Sequence, residues 1–322
     1  MMKSLSSTAL IGCLVLAAAL VDPSWAQSNR PIHVIVPFPP GGAADVLARV
    51  LAKQIGDADN QTVVVDNRPG AGASIAYDLA ARAAPDGTTI VVASNSVVIN
   101  PLLKKVNYDP LTSYEPICNL VSSPMIFVVN SASSYRTIGD LIAAAHEKPG
   151  TLTIGSLGPG TTLDIAIAQF KRVTKSDMIF VPFAGGAPTV NALLGRQIDA
   201  ALVNYSEGVA QIKAGKLRAL ATASAQRIKP MPDLPTVAES GYPGFESEVW
   251  LGLLAPAHTP APDIARLGTL FSAALKAPEP MQKLLAVGLY PIGQCGKEFA
   301  NFIRAKHDEY DRIIREANIK LQ

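Results

Sequence analysis

Two short glycine-bearing stretches carry most of the chemistry legible in the chain. Val36-Pro37-Phe38 leads into Gly41-Gly42-Ala43, and Val181-Pro182-Phe183 leads into Gly185-Gly186-Ala187. Each follows a strand-like run and precedes a helical pattern. Glycine lets the backbone approach a ligand closely. The free N–H groups of a helix start carry partial positive charge, a geometry that binds carboxylates or phosphates. Either stretch alone is as readily a tight strand-to-helix turn. The matched pair points to one cleft that grips an anionic ligand from both sides.

Other polar residues sit where such a cleft would want them. Asp45 falls in the first turn of its helix, where a carboxylate either caps the helix or faces the pocket. Ser94-Asn95 and Asn204 follow strands, at the carboxyl ends where open α/β sheets bind ligands; each is also a plain turn former. Other chemistries find little support. Gly70-Ala71-Gly72 lacks the third glycine of a dinucleotide fingerprint, with Ile75 in its place. No nucleotide P-loop and no G-x-S-x-G occur. In Gly72-Ala73-Ser74-Ile75-Ala76, the closest approach to the latter, Ser74 reads as a helix N-cap. His33, His146, His258 and His307 have no metal-ligand spacing. No nucleophile, base and orienter assemble, so an exported hydrolase or lyase is a poor reading. Neither cofactor nor metal is expected.

The elements that must position these residues alternate. Ile32 to Val36 reads as a strand, with a helix after it on which Val46, Leu47, Val50, Leu51 and Ile55 share a face. Thr62 to Val65 is a strand, Ser74 to Ala84 a helix and Thr88 to Ala93 a strand. The pattern restarts with a strand at Met125 to Val129, a helix at Ile138 to Glu147 capped by Thr137, and strands at Leu152 to Gly155, Met178 to Val181, Ile198 to Val203 and Leu217 to Thr222. Helices intervene, and two more cover Pro262 to Lys276 and Lys297 to Ile319. Alternation of this kind predicts an α/β fold with a parallel sheet.

The start of the chain is of another kind. Lys3, the apolar run Ala9 to Val21 and Ser24-Trp25-Ala26 make a secretory signal peptide, 1–26, cut after Ala26. The apolar run is too short to span a bilayer, which takes ~20 residues. A rival reading makes Leu10-Ile11-Gly12-Cys13 a lipoprotein box with Cys13 lipidated. Export leaves Cys118 and Cys295 in an oxidising compartment, where they either pair or stay as buried thiols. The 322 residues carry 48% hydrophobic and 17% charged side chains with a net charge of +2. That excludes disorder and leaves no basic surface for nucleic acid. The length favours two lobes over one.

The residues also resemble a known family. Val36-Pro37-Phe38-Pro39-Pro40-Gly41-Gly42 with Asp45 and Arg49, then Asn67-Arg68-Pro69-Gly70-Ala71-Gly72, resemble the Bug (TctC-like) receptors of tripartite tricarboxylate transporters. So do Ala84-Pro85-Asp86-Gly87, Gly185-Gly186-Ala187-Pro188, Lys213-Ala214-Gly215-Lys216-Leu217 and Gly252-Leu253-Leu254-Ala255-Pro256. The resemblance covers essentially the whole mature chain. It implies a type 2 periplasmic-binding-protein fold, with two α/β lobes around a central ligand cleft. Lobe 1 would be 27–125 and 252–322 and lobe 2 would be 126–251, with crossing segments near 125–130 and 249–255. It also implies that backbone at Phe38, Ala43, Ala44 and Asp45 holds one carboxylate, and that Thr161, Thr162, Ala184, Gly186 and Ala187 line the opposite wall. The implied partners are a small carboxylate and membrane permease subunits, with the receptor a monomer. A sensor partner in place of a permease would leave the same sequence.

Two departures bear on the ligand. Gly158-Pro159-Gly160-Thr161 lacks the Asn that family members carry, with Asp164 where a His would fall. Val203 stands where many members have Asp before the Asn aligned with Asn204. Asp45 and Asp164 are then the acidic candidates left in the strand-end loops. A pocket short of carboxylates should reject the ammonium of an amino acid. The expectation is a dicarboxylate, aliphatic or aromatic, with Phe38, Phe183, Val203 and Tyr205 lining its middle.

Overall fold

The computed structural model describes residues 30–158, 160–316 and 319. The expected leader, 1–26, and with it Cys13, lies outside the described residues. The chain runs β1 (Ile32–Val36), α1 (Ala43–Asp59), β2 (Val63–Asn67), α2 (Ser74–Ala81), β3 (Thr89–Ser94), α3 (Ser96–Leu103) and β4 (Tyr114–Asn130). It continues through α4 (Ile138–Glu147), β5 (Thr153–Leu157), α5 (Thr162–Thr174), β6 (Ile179–Phe183), α6 (Gly186–Leu194), β7 (Ala200–Asn204), α7 (Tyr205–Lys213) and β8 (Leu217–Thr222). It returns through β9 (Glu248–Pro256) and ends with α8 (Ala261–Lys276), α9 (Pro278–Ala286), β10 (Tyr290–Cys295) and α10 (Lys297–Glu316).

Local sequence explains the elements that frame the cleft. On β1, Ile32, Val34 and Val36 enter one core cluster and Ile35 the other, as the two-residue period of a strand requires. On α1, Ala44, Leu47, Ala48, Leu51 and Ile55 are buried at three- and four-residue intervals. The helix ends where Asn60 turns left-handed, at φ 52°. Thr137 caps α4 as expected and closes a reciprocal capping box with Asp140. The expected helix from Ser74 stops at Ala81 rather than Ala84.

The strands form one sheet in the order β2-β1-β3-β9-β4-β7-β5-β6, with β10 and β8 also paired to β4. β1, β2 and β3 are mutually parallel, as are β5, β6 and β7. This is the α/β fold expected, built as two parallel blocks. Each block is covered on both faces by helices. The clusters around Leu47 and Phe271 and around Tyr77 and Phe299 cover the first. Those around Phe127 and Phe170 and around Val128 and Leu193 cover the second.

β4 joins the blocks. The sequence pattern marks it only from Met125, yet it runs for 17 residues from Tyr114. It pairs antiparallel with β9 up to Pro124–Glu248, then with β7 from Met125–Asn204. β9 is antiparallel to both β3 and β4, so β3 and β4 share a direction that β7 opposes. Ser94 aligns through Leu251 with Val121, and Asn204 aligns with Met125. Those two points on β4 are roughly 13 Å apart at about 3.3 Å per residue. The carboxyl ends of the two parallel blocks therefore face one another across Ser122-Ser123-Pro124.

Cys118 and Cys295 form a disulfide between directly opposed residues of β4 and β10. The bond ties strands 177 positions apart in sequence, so it removes a large loop-closure entropy from the unfolded chain. Reduction, or Cys295→Ser, should lower the unfolding free energy by roughly 3–5 kcal/mol. Urea melts with and without reductant test this; an unmoved midpoint would mean that the strand pairing suffices alone.

Candidate functional site

The candidate ligand-binding residues follow strands at the two facing edges. Phe38, Ala43, Ala44 and Asp45 follow β1, and Ser94 and Asn95 follow β3. Across the gap, Thr161, Thr162 and Asp164 follow β5, Ala184, Gly186 and Ala187 follow β6, and Asn204 ends β7. Their side chains are used very differently.

The β1–α1 loop is built around one carboxylate. Gly41 takes φ +83°, open to glycine at little cost, and its N–H donates to Asp45 Oδ2 at 2.9 Å. Arg49 Nε donates to Asp45 Oδ1 at 2.9 Å and to Oδ2 at 3.0 Å. Asn67 Nδ2 donates to Asp45 Oδ1 at 2.9 Å and to the Phe38 carbonyl at 3.1 Å, and Arg49 Nη2 donates to Asn67 Oδ1 at 2.9 Å. Burial would lift the Asp45 carboxyl, but these donors outweigh it and hold the group below the usual carboxylate range. Its side chain therefore shapes the loop. The amides of Ala43, Ala44 and Asp45 lie in the first helical turn, where geometry supplies no acceptor, and among the described residues none has one.

The β5–α5 loop repeats the device. Gly160, at φ +78°, donates its N–H to Asp164 Oδ2 at 2.9 Å. Thr161 caps the helix by accepting from the Asp164 N–H and donates to the Gly158 carbonyl at 2.9 Å. The amides of Thr162 and Leu163 remain without a partner among the described residues. Asp164 has no equivalent of Arg49, and burial pushes its carboxyl up despite the Gly160 bond. In chain geometry the partner of Gly41–Asp45 is thus Gly160–Asp164. The sequence echo at Gly185-Gly186 starts α6 without any carboxylate of its own.

The second edge holds a residue that the sequence reading passed over. Glu207, in the first turn of α7, accepts from the Asn204 N–H at 3.0 Å. Its carboxyl group fills the space where a Cβ on Gly186 would stand, so position 186 admits no side chain while Glu207 keeps this place. Burial pushes Glu207 up, only partly offset by its bonds to Asn204. The Asn204 Oδ1 is buried without a partner. Spacing gave the clue: Glu207 stands three residues after an Asn N-cap, the carboxylate half of a capping box.

Four expectations need correcting. Asn95 is fully buried. Its Nδ2 donates to the Glu248 carbonyl and the Tyr310 hydroxyl, and its Oδ1 accepts from the Trp250 N–H. It ties β9 and α10 to the end of β3, so its side chain is spent on structure. Ser94 is likewise engaged, with the Tyr77 and Ser96 hydroxyls. Val203 lies in the core beside Ile126 and Val128, not along the cleft. The shortage of acids on the second edge does not hold either, because Glu207 and Asp164 both stand there. Phe38 and Phe183 are half-buried, and Ala184 and Ala187 are exposed.

Two parallel blocks with facing carboxyl edges, each edge lined by helix-start amides, are the frame of a solute receptor. The chain belongs to the tripartite tricarboxylate transporter family receptors, whose profile matches residues 47–319. It is 32% identical to protein BugT of Bordetella pertussis over 319 residues, 98% of each chain. The structure of the periplasmic binding protein BugD superposes with a TM-score of 0.81 at 30% identity, covering 91% of this chain and 99% of that one. Rpa4515 of R. palustris, solved with adipate, superposes with a TM-score of 0.83 at 29% identity, covering 90% and 98%. The fold is that of periplasmic binding proteins, and the family is one of solute receptors, not enzymes.

Asp45→Asn should destabilise the protein by about 1–2 kcal/mol at neutral pH, since the Arg49 partner is half exposed. A carboxyl held low in the fold stabilises it above the unfolded-chain value of about 3.9, and that contribution fades as pH falls through the lower folded value. The gap between wild type and variant should therefore close in acid. Melts at about pH 7 and about pH 3 measure it; a constant gap would mean that Asp45 acts through packing.

Proposed function

We propose that this protein captures a small organic dicarboxylate, aliphatic or aromatic, between the two facing edges, and delivers it to the membrane permease subunits of a tripartite tricarboxylate transporter. The observation that carries the reading is the pair of opposed amide sets. Ala43, Ala44 and Asp45 offer backbone N–H groups on one side. Thr162, Gly186 and Ala187 offer them on the other, with Thr161, Ala184 and Asn204 beside them. One carboxylate per edge satisfies both. The adipate in the Rpa4515 structure supports the ligand class. Phe38 and Phe183 would flank the apolar middle of such a ligand.

Capture works by closure. The two blocks act as lobes, 27–125 with 252–322 and 126–251, that open and close about the places where β4 and β9 pass between them. A ligand bridging both edges binds the closed form better and shifts the population toward it. Charge-assisted hydrogen bonds contribute ~1.5–3 kcal/mol each. Three or four, less the cost of ordering, support a dissociation constant of about a micromolar, ~8 kcal/mol. The receptor works as a monomer in the periplasm, exported by residues 1–26. Intact-mass analysis of the exported protein should give a chain starting at Gln27; a diacylglycerol adduct on Cys13 would refute this.

A thermal-shift panel tests the ligand class. Succinate, adipate and terephthalate should raise the melting temperature, by about 2.7 kcal/mol of added stability at a hundred times the dissociation constant. Aspartate and glutamate should not. Stabilisation by the amino acids alone would replace the dicarboxylate with an ammonium-bearing ligand.

A further inference from the structure

Glu207 is a carboxyl group without a cation. Its Oε2 accepts the Asn204 N–H, and no cation pairs with either oxygen among the described residues. No charged group influences it appreciably. Every element packed on α7 gives the same answer. α6 and β7 contain no titratable side chain. On β8, Arg218 is turned away to the carbonyls of Ser131, Ser133 and Tyr135. The titratable groups of β4, Tyr114 and Glu115, lie far up the strand, in the part paired with β9, and Cys118 is held in the disulfide. At the turn before β10, Gly288 meets the neutral ring of Tyr205, and Tyr290 is a phenol. Yet the Glu207 carboxyl lies against Gly186, the first residue of α6, whose N–H and that of Ala187 have no acceptor among the described residues. A ligand carboxylate seated on those two amides would lie beside Glu207. Two carboxylates in contact cannot both stay ionised.

We propose that Glu207 is the specificity-determining acid of the second edge: it takes up one proton from solvent as the ligand binds, and Oε1–H then donates to the ligand's carboxylate. This rests on the carboxylate reading above. A buried acid that is already hard to ionise accepts this proton readily. The chemistry selects for a ligand with an acceptor at that end. It also makes affinity fall with rising pH, by up to about tenfold per pH unit above the point where free Glu207 ionises.

Calorimetric titration of the full mature chain with adipate and with succinate tests this. Buffers of different ionisation enthalpy are compared from about pH 6.5 to about pH 8.5, where the free acids are mostly ionised. The expected result is uptake of about one proton per ligand in part of this range, with weakening affinity as pH rises. Glu207→Gln keeps the acceptor for the Asn204 N–H. It should fold, checked by melting temperature, and bind with no proton uptake and no pH dependence. Asp164→Asn should keep the uptake. Binding without proton uptake in the wild type overturns the proposal and leaves the carboxylate reading standing. So does uptake that survives Glu207→Gln, or is lost in Asp164→Asn. Absence of binding by every dicarboxylate in the panel overturns the reading and the proposal together.

Discussion

Everything at the cleft depends on one stretch of antiparallel pairing. β4 hydrogen-bonds to β9 as far as Pro124 and to β7 from Met125 onward. Because β7 opposes the direction of β3, the carboxyl ends of two parallel blocks are turned toward each other. Parallel strands place helix starts at their carboxyl ends by necessity, since each crossover helix begins there. Facing carboxyl ends therefore mean facing helix starts, and facing helix starts mean two sets of amides aimed into one gap. No side chain of the loops has to be chosen to achieve this. The disulfide from Cys118 to Cys295 anchors the first-block part of that same strand.

The loops then need only to keep their amides exposed. A glycine N–H tied to an aspartate four residues later does this at both Gly41–Asp45 and Gly160–Asp164. The carboxylate satisfies the N–H before the helix and supports the macrodipole from the side. The amides of the first turn are left to the solvent or to a ligand. The two copies differ in what surrounds the acid. Arg49 and Asn67 saturate Asp45, while Asp164 has the Gly160 N–H and its burial.

Much of this was legible in the sequence, and what was not has physical reasons. Hydrophobic periodicity placed β1, α1, β7 and α8 because their core faces are continuous. The length of β4 was hidden by Pro116 and Pro124 and by a burial pattern on both faces, which removes the alternation that marks a strand. The cleft loops were found because glycine pairs are visible. Residue type misleads there, however: Gly185 matches Gly41 in the sequence echo, whereas Gly160 shares the positive φ of Gly41 and its bond to an aspartate four residues on. Asn95 looked like a ligand group because asparagine at a strand end is ambiguous until its partners are known. Those partners, Glu248, Trp250 and Tyr310, lie some 150 to 215 positions away. Glu207 escaped for the opposite reason, since a glutamate in a first helical turn looks like a cap. It is a cap, and it also fills the place beside Gly186.

The two edges are unequal in charge, and the proposed closure would amplify the difference. On the first edge the acid is neutralised by Arg49, so an approaching carboxylate meets the amides with no opposing charge. On the second edge Asp164 and Glu207 stand without cations among the described residues. In the open form, water screens them. As the cleft closes, water leaves and the effective dielectric drops, so each unit of like charge costs several times more. For a dicarboxylate that bridges the gap, the first edge therefore contributes in both open and closed forms. The second edge contributes, or penalises, mainly in the closed one. Only differential affinity for the closed form drives closure. The choice among ligands that all carry a first carboxylate thus falls to the groups around Gly186, whatever the first edge contributes in total binding energy.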